Sequence, residues 1–156
     1  MDRANEIDTG AQSDRKRIVD LLARATLTEL ETALSTLDPA PIFTPLRGPE
    51  TGLVMVKGRI GGGGAPFNLG EATVSRASVR LSDGRIGHGY RLGTDRKAAS
   101  LSAVLDAVAQ NEAVRAALDT QLFAPIEARL LADAEKLEAE TAATKVDFFT
   151  MVRGED

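Results

Sequence analysis

The chain has 156 residues, of which 43% are apolar and 27% are charged, as is usual for a soluble globular protein. It contains no cysteine and one histidine, which excludes disulfides, a cysteine nucleophile, thiolate metal sites and a histidine-rich metal site. The net charge of −4 argues against binding to nucleic acid. We therefore expect neither a metal site nor a nucleic-acid partner.

The length suits a single domain, which we place at residues 13–156, after a disordered tail of residues 1–12. No apolar run approaches the roughly 20 residues that span a membrane. The first residues lack the apolar core of a signal peptide. We expect a cytoplasmic protein that does not enter a membrane.

Two helices are predicted before the first proline. Ser13 or Asp14 can cap the first helix, which is amphipathic. Thr28 and Glu31 have the spacing of a capping box, so a second short helix is predicted to start there and run to Leu37.

Prolines and glycines dominate the next part of the chain. Four of the six prolines lie between Asp38 and Glu50, which predicts an extended connector because each proline removes a backbone donor. Residues 52–58 then have the composition of a buried strand. Six of the 14 glycines follow between Gly58 and Gly70, which suggests backbone at positive φ or backbone that another group approaches closely.

The glycine loop has two interpretations. It lacks the Gly-Lys-Ser/Thr of a Walker A loop and leads into a strand rather than a helix, which favours a mobile or closely packed turn. If it holds phosphate instead, Arg59 is the adjacent cation. Its central residues are Gly61, Gly62, Gly63 and Gly64.

Residues 72–82 and 85–92 are predicted to form a hairpin. Asp83-Gly84 fits a two-residue type I′ turn, which would fix the register. On the core face of the hairpin this register pairs Leu81 with Ile86, Val79 with His88, and Ala77 with Tyr90. On the other, polar face it pairs Arg80 with Gly87, Ser78 with Gly89, and Arg76 with Arg91.

The predicted polar face is unusual because two arginines lie directly opposite each other, an arrangement that costs stability. We interpret it as a surface that meets an anion or an acidic partner. The alternative is a solvated face whose arginines point apart. His88 and Tyr90 are interpreted as packing residues of the core face, with a catalytic base at His88 as the less favoured interpretation.

Helices return after the hairpin. Thr94 or Asp95 can cap a helix of residues 96–110, and a second helical segment covers 112–122. Pro125 either starts or kinks a further helix that runs to about residue 143. The narrow, alanine-rich stripe of this last helix suits packing against a partner. The predicted fold is therefore α+β, with a small, mostly antiparallel sheet of at least three strands and helices before and after it.

Four blocks of the sequence, at residues 50–54, 61–73, 76–84 and 146–155, have an order and spacing that resemble the PhnG family, and the resemblance covers roughly residues 13–156. The ending Phe-Phe-Thr-Met-Val-Arg-Gly is a specific signature of this family. The chain departs from the family pattern after Gly93, where an arginine and a histidine are missing. No catalytic role is therefore assigned to that turn.

The resemblance implies a subunit of the bacterial carbon–phosphorus lyase core complex, with PhnH, PhnI and PhnJ as partners, which obtains phosphate from alkylphosphonates. Together with PhnH, PhnI and the ATP-binding-cassette-like PhnL, such a subunit supports attack of a phosphonate on C1′ of the ribose of ATP, with release of adenine. PhnJ, a radical enzyme, then breaks the carbon–phosphorus bond. ATP is implied as the substrate of the complex, and no cofactor is implied for the subunit itself.

Two hypotheses follow for the chain's own part. In the first, it contributes phosphate ligands to the active site, and the candidates are Arg59, Arg76, Arg80 and Arg91. In the second, it has no active-site residue and organises its partners through its helices and an apolar tail that includes Phe148, Phe149, Met151 and Arg153. A stand-alone nucleotide-binding protein is disfavoured because no helix follows the glycine loop.

Overall fold

A computed structural model describes residues 9–60 and 63–144 of the chain. The three strands form one antiparallel sheet in the order β1-β2-β3, with helices before and after it, which confirms the predicted α+β class. The elements are α1 (Thr9–Arg24), α2 (Leu27–Ser35), β1 (Phe43–Gly58), β2 (Phe67–Leu81), β3 (Ile86–Leu92), α3 (Arg96–Val108), α4 (Glu112–Leu118), a π-helical turn (Asp119–Phe123) and α5 (Ala124–Ala143).

The core lies between the helices and one face of the sheet. Helix α3 packs on β2 and β3, α1 and α2 pack on α3, and the π-helical turn packs against α1 and α2. Since aromatic residues make up only 4% of the chain, leucine and alanine fill most of this space, and each fully buried leucine contributes about 2 kcal/mol. The largest buried side chains include Phe123, Leu22, Leu30, Leu105, Leu118 and Ile126.

Helix α3 lies directly on the backbone of β3. A Cβ atom built on Gly87 would overlap the carbonyl oxygen of Ala103, and one built on Gly89 would overlap that of Ala99. Both alanines are fully buried, and they are four residues apart on one face of the helix. The two glycines of β3 are therefore explained by this close approach.

The predicted register of the hairpin is wrong by one residue. The loop contains three residues, Ser82-Asp83-Gly84, and is closed by bonds from Leu81 N to Arg85 O at 2.8 Å and from Gly84 N to Leu81 O at 3.0 Å. Only Gly84 has a positive φ, of 93°, whereas a type I′ turn needs two such residues. The structure pairs Arg76 with Tyr90, Ser78 with His88, and Arg80 with Ile86.

This shift exchanges the two faces of β3, because side chains alternate along a strand. Gly87, Gly89 and Arg91 point toward the helices, and His88 and Tyr90 lie on the opposite, exposed face. The predictions that His88 and Tyr90 pack in the core and that Arg76 faces Arg91 are therefore wrong.

Strand β1 begins inside the segment predicted to be a connector. Pro45 lies within the strand, and the pairing with β2 is irregular between Pro45 and Arg47 and again between Arg47 and Glu50. Proline cannot donate to the ladder, so an edge strand with bulges is where it is tolerated.

The prediction that residues 52–58 are buried is also wrong. Strand β3 ends opposite Val74, so the far halves of β1 and β2 continue as a two-stranded arm without a third strand. Leu53 is 63% exposed and Met55 is 53% exposed. No described helix or strand covers the arm, defined here as residues 53–60 and 67–73.

The helix starts near the N-terminus differ from the predicted ones. Helix α1 begins at Thr9, before Ser13, and so includes part of the segment that we expected to be a tail. The capping box of α2 uses Thr26 and Glu29 rather than Thr28: Thr26 Oγ1 accepts from Glu29 N at 3.2 Å, and Glu29 Oε2 accepts from Thr26 N at 2.7 Å.

Replacing Thr26 with alanine is expected to lower the free energy of unfolding by about 1 kcal/mol, because the amide of Glu29 loses its acceptor. The measurement is urea unfolding followed by circular dichroism. Thr28→Ala, in the exposed first turn of the same helix, is the control, and an equal or larger loss in that variant would show that the cap is at Thr28 after all.

The C-terminal half is predicted more accurately. Asp95 Oδ1 accepts from Ala98 N at 2.9 Å, which confirms the predicted cap of α3. Residues 112–143 form one helical run, interrupted by the π-helical turn in which Ala124 N donates to Asp119 O. Pro125 is the second residue of α5, which begins at Ala124 directly after the π-helical turn, so the prediction that Pro125 starts the last helix is confirmed. The π-helical turn just before it adapts the run to a residue that has no N–H.

Candidate functional surface on the open face of the sheet

The face of the sheet opposite α3 carries most of the polar side chains that could bind a ligand. The paired side chains of this face are exposed or half-buried, and we call it the open face. Cross-strand pairing arranges its side chains in rows, because directly paired residues point to the same side. The rows are Glu50–Arg76–Tyr90, Arg47–Ser78–His88 and Thr44–Arg80–Ile86.

One carboxylate on the open face is shared by two guanidinium groups. Glu50 Oε1 lies 2.6 Å from Arg76 Nε and 2.5 Å from Arg47 Nε. The hydrogen bond from Arg76 holds the pKa of Glu50 below its ordinary value. Glu50 is therefore ionised at neutral pH and cancels the charge of only one of its two arginines.

Arg80 is the arginine of this face that the described residues leave unpaired. Its side chain is exposed, and no salt bridge within residues 13–60 and 63–144 includes it. Beside it, Ser78 Oγ lies 2.9 Å from His88 Nδ1, which orients the imidazole ring, and Tyr90 is 46% exposed. The open face therefore combines excess positive charge with accessible ring faces.

Such a surface is suited to binding rather than to breaking bonds. Guanidinium groups bind phosphate, phosphonate and carboxylate groups through paired N–H donors. Within the part of the chain that the structure describes, no group of three or more His, Cys, Asp or Glu side chains is arranged to hold a metal ion. What the open face supplies is positive charge for an anionic ligand or an acidic protein surface.

The structure does not bring the four predicted arginines together. Arg76 and Arg80 share the open face, Arg59 lies at the tip of the arm, and Arg91 is on the helix-covered face. Arg91 Nη2 donates to Ala25 O at 2.7 Å, which ties β3 to the turn between α1 and α2. Its Nε and Nη1 are buried and have no partner among the described residues.

The glycine loop is described only in part, and the apolar tail that starts at residue 146 lies outside the described residues. Gly63 and Gly64 have no positive φ, and the loop leads into β2, as expected from its sequence. An added Cβ meets nothing within 4 Å at Gly63 and lies 3.1 Å from Ile60 O at Gly64. The predicted residues outside the described part of the chain are Gly61, Gly62, Phe148, Phe149, Met151 and Arg153.

Two features of the surface were missed by sequence reasoning. Arg47 lies between Pro45 and Pro49, and Glu50 directly follows Pro49, in the segment that was predicted to be a connector. The exposed apolar side chains of the arm were missed as well, because the strand before the glycine loop was predicted to be buried. The glycine loop lies between two predicted strands, residues 52–58 and 72–82, which could have indicated a long hairpin. These exposed side chains are Leu53, Met55, Val56, Ile60, Phe67 and Leu69.

None of the described helices combines the length and apolar character needed to cross a bilayer.

Residues 13–154 match the family model described as "Phosphonate metabolism protein PhnG". The chain is also 56% identical, over 156 residues, to a protein of Rhizobium meliloti (strain 1021) named alpha-D-ribose 1-methylphosphonate 5-triphosphate synthase subunit PhnG. That similarity covers 100% of this chain and 99% of the relative.

Proposed function

The chain belongs to the PhnG family of phosphonate metabolism proteins, and we propose on that basis that it is a subunit of the complex that makes α-D-ribose 1-methylphosphonate 5-triphosphate. The observation that carries the proposal is 56% identity to a synthase subunit along the whole length of both chains. The complex would belong to the carbon–phosphorus lyase machinery for organophosphonate catabolism.

In the proposed reaction, a phosphonate oxygen attacks C1′ of the ribose of ATP. The bond between C1′ and the adenine nitrogen breaks, and adenine leaves with that electron pair. ATP is the substrate of the complex, this chain brings no cofactor of its own, and the isolated chain is inactive. The proposed partners are PhnH, PhnI, PhnJ and PhnL. The absence of cysteine fits a cytoplasmic location.

The open face of the sheet supports a binding role within that complex. Both substrates carry phosphate or phosphonate groups, and Arg80 has no competing carboxylate among the described residues. Arg76 is held by Glu50 and Arg47 by the same carboxylate, so these two arginines are oriented rather than free. The chain would therefore position or neutralise an anion while another subunit supplies the groups that make and break bonds.

A purely structural subunit is the second candidate. The apolar arm favours it, because an isolated two-stranded hairpin is marginally stable in water and needs a surface to cover its side chains. Arg59 would then contact a partner protein rather than a phosphate. A stand-alone nucleotide-binding protein is disfavoured, since the glycine loop leads into β2 and supplies no helix N-terminus for phosphate.

Replacing Arg80 with alanine is expected to slow adenine release by the intact complex by at least about tenfold, because the anion loses a charge-assisted bond. Stability should not change, since Arg80 makes no ion pair with the described residues. The measurement is chromatographic quantification of adenine from ATP and methylphosphonate, with size-exclusion chromatography to establish that the complex is whole.

Arg24→Ala is the matched control, because Arg24 is also exposed but lies at the end of α1, on the helix side of the protein. Arg76→Ala belongs to the same series and tests the ion-paired arginine. If the complex remains whole and Arg80→Ala and Arg76→Ala both release adenine at the rate of Arg24→Ala, the open face takes no part in the reaction and the structural role is correct.

A further inference from the structure

The second half of α5 leaves the body of the protein. Ile126 is fully buried and Leu130 is partly buried against the core, but every residue from 131 to 143 is exposed. At a rise of 1.5 Å per residue, this segment extends about 20 Å from the last packed turn. Isolated helices of this length are marginal in water, so most of their stability comes from packing of one face.

One face of this projecting segment continues the buried stripe of α5. Leu130, Ala134, Leu137 and Thr141 follow one another at spacings of four, three and four residues, which places them on the same side as Ile126. Leu137 is 65% exposed. The apolar stripe that packs on the protein's own core therefore continues along the projecting half, where none of the described residues covers it.

Acidic side chains border this stripe. Between residues 131 and 143 there are four carboxylates and one basic residue, Lys136. Asp133 and Glu140 flank the stripe on one side and Glu138 on the other. Asp133 and Glu140 lie within 3.8 Å and 4.0 Å of basic partners on the helix itself, whereas Glu135 and Glu138 make no ion pair within the described residues.

We infer that residues 131–143 form a docking helix for another subunit of the same synthase complex. The receiving site is a groove with an apolar floor, for Leu137 and Ala134, and a rim of lysine and arginine side chains, for the acidic borders. The inference rests on the proposed function, because that function supplies the partner subunits. It adds which element binds and what chemistry the partner presents.

The test uses the full-length tagged chain co-expressed with the other synthase subunits, followed by affinity measurement on the purified complex. In the double variant Ala134→Gln/Leu137→Gln, the affinity should fall by at least about tenfold while helix content is kept, since glutamine is a good helix former. The matched control is Ala132→Gln/Ala139→Gln, which places the same side chains on the opposite, exposed face and should bind as the unmodified chain does.

The acidic borders of the stripe, which would face the basic rim of the partner's groove, are tested separately. The variant Glu138→Lys/Glu140→Lys, which reverses one carboxylate on each side of the stripe, should also bind at least about tenfold more weakly. Binding of the unmodified chain should weaken as ionic strength rises from about 0.1 M to about 1 M, where the Debye length falls from about 10 Å to about 3 Å.

The possible failures are distinguishable. If the unmodified chain forms no complex, the proposed function is wrong. If the complex forms and the Ala134→Gln/Leu137→Gln variant binds like its control, residues 131–143 are not a docking helix. If the Ala134→Gln/Leu137→Gln variant binds more weakly but the charge-reversal variant binds normally, the partner's groove has no basic rim. If the chain alone self-associates and only the stripe variant abolishes this, the occupant is a second copy and the inference is overturned.

Discussion

Replacing Gly89 with alanine is expected to lower the free energy of unfolding by about 3 kcal/mol or more, which is the upper end for an overpacked core. The new Cβ would overlap the carbonyl oxygen of Ala99 and lie 2.9 Å from the backbone nitrogen of Ala103. Both atoms belong to the backbone of α3, so no side-chain rotation relieves the contact. The helix must move away from the sheet, and its buried alanines lose their packing.

Urea unfolding, followed by circular dichroism, measures the effect. Gly52→Ala is the matched control, because Gly52 also lies in a strand, has no positive φ and would place its Cβ at least 4 Å from other atoms. The control should change stability by no more than about 0.5 kcal/mol. Equal losses in the two variants would mean that α3 does not rest on the backbone of β3.

Replacing Asp106 with alanine is expected to cost about 3 kcal/mol, because a buried carboxylate with several partners is lost. Asp106 is 1% exposed and accepts from Arg15 Nη2 at 2.9 Å, from Arg15 Nε at 3.3 Å and from the backbone N–H of His88 at 2.8 Å. Without it, the amide of His88 on the outer edge of β3 has no acceptor in the fold. Hydrogen exchange at that amide should accelerate, and urea unfolding should occur at lower concentration.

Two further variants separate the amide acceptor from the charge. Asp106→Asn keeps an oxygen for the His88 amide, so it should lose less stability than Asp106→Ala. Asp20→Ala removes a carboxylate from an exposed pair with Lys16 and should cost less than about 0.5 kcal/mol. If Asp106→Ala costs no more than Asp20→Ala, the carboxylate does not hold the edge of β3.

The helices could be predicted because their signals are local. Asp95 directly precedes a run with helical apolar spacing, and it is the observed cap of α3. The cap of α2 was misplaced because Thr26 with Glu29 and Thr28 with Glu31 have the same spacing. Packing decides between them, since a start after Thr26 puts Leu27 into the helix, where it packs against the core beside Leu30.

The register of the hairpin could not be read from its turn. Asp-Gly fits both a two-residue turn and the end of a three-residue loop, and the two differ by one residue. The choice is made by α3, whose alanines at positions 99 and 103 can approach a strand only where it presents glycine. The alternation of Gly87 and Gly89 opposite an alanine-rich helix was the available signal, and it depends on a contact that is distant in sequence.

The same shift decides which residues share the open face. With the predicted register, Arg91 joins Arg76, and His88 is buried. With the observed register, Arg91 moves to the helix side and His88 joins the arginines. Arg76 and Arg80 keep their face in both cases, because their position depends only on alternation along β2. Glu50 and Arg47 depend on a bulged pairing of β1, for which the sequence carries no simple pattern.

The π-helical turn at Asp119–Phe123 has a geometric consequence for the helix that follows it. Leu118 and Phe123 are both fully buried although they are five residues apart, which a regular helix would place on different sides. Each residue turns an α-helix by about 100°, and the wider π-helical turn holds one more residue than an α-helical turn, so the residues after it keep the direction that they would have without the extra residue. The direction in which residues 131–143 face therefore depends on this turn: if the same residues formed a regular α-helix, the projecting segment would be rotated by about 100°, whereas loss of the one extra residue would leave its direction unchanged.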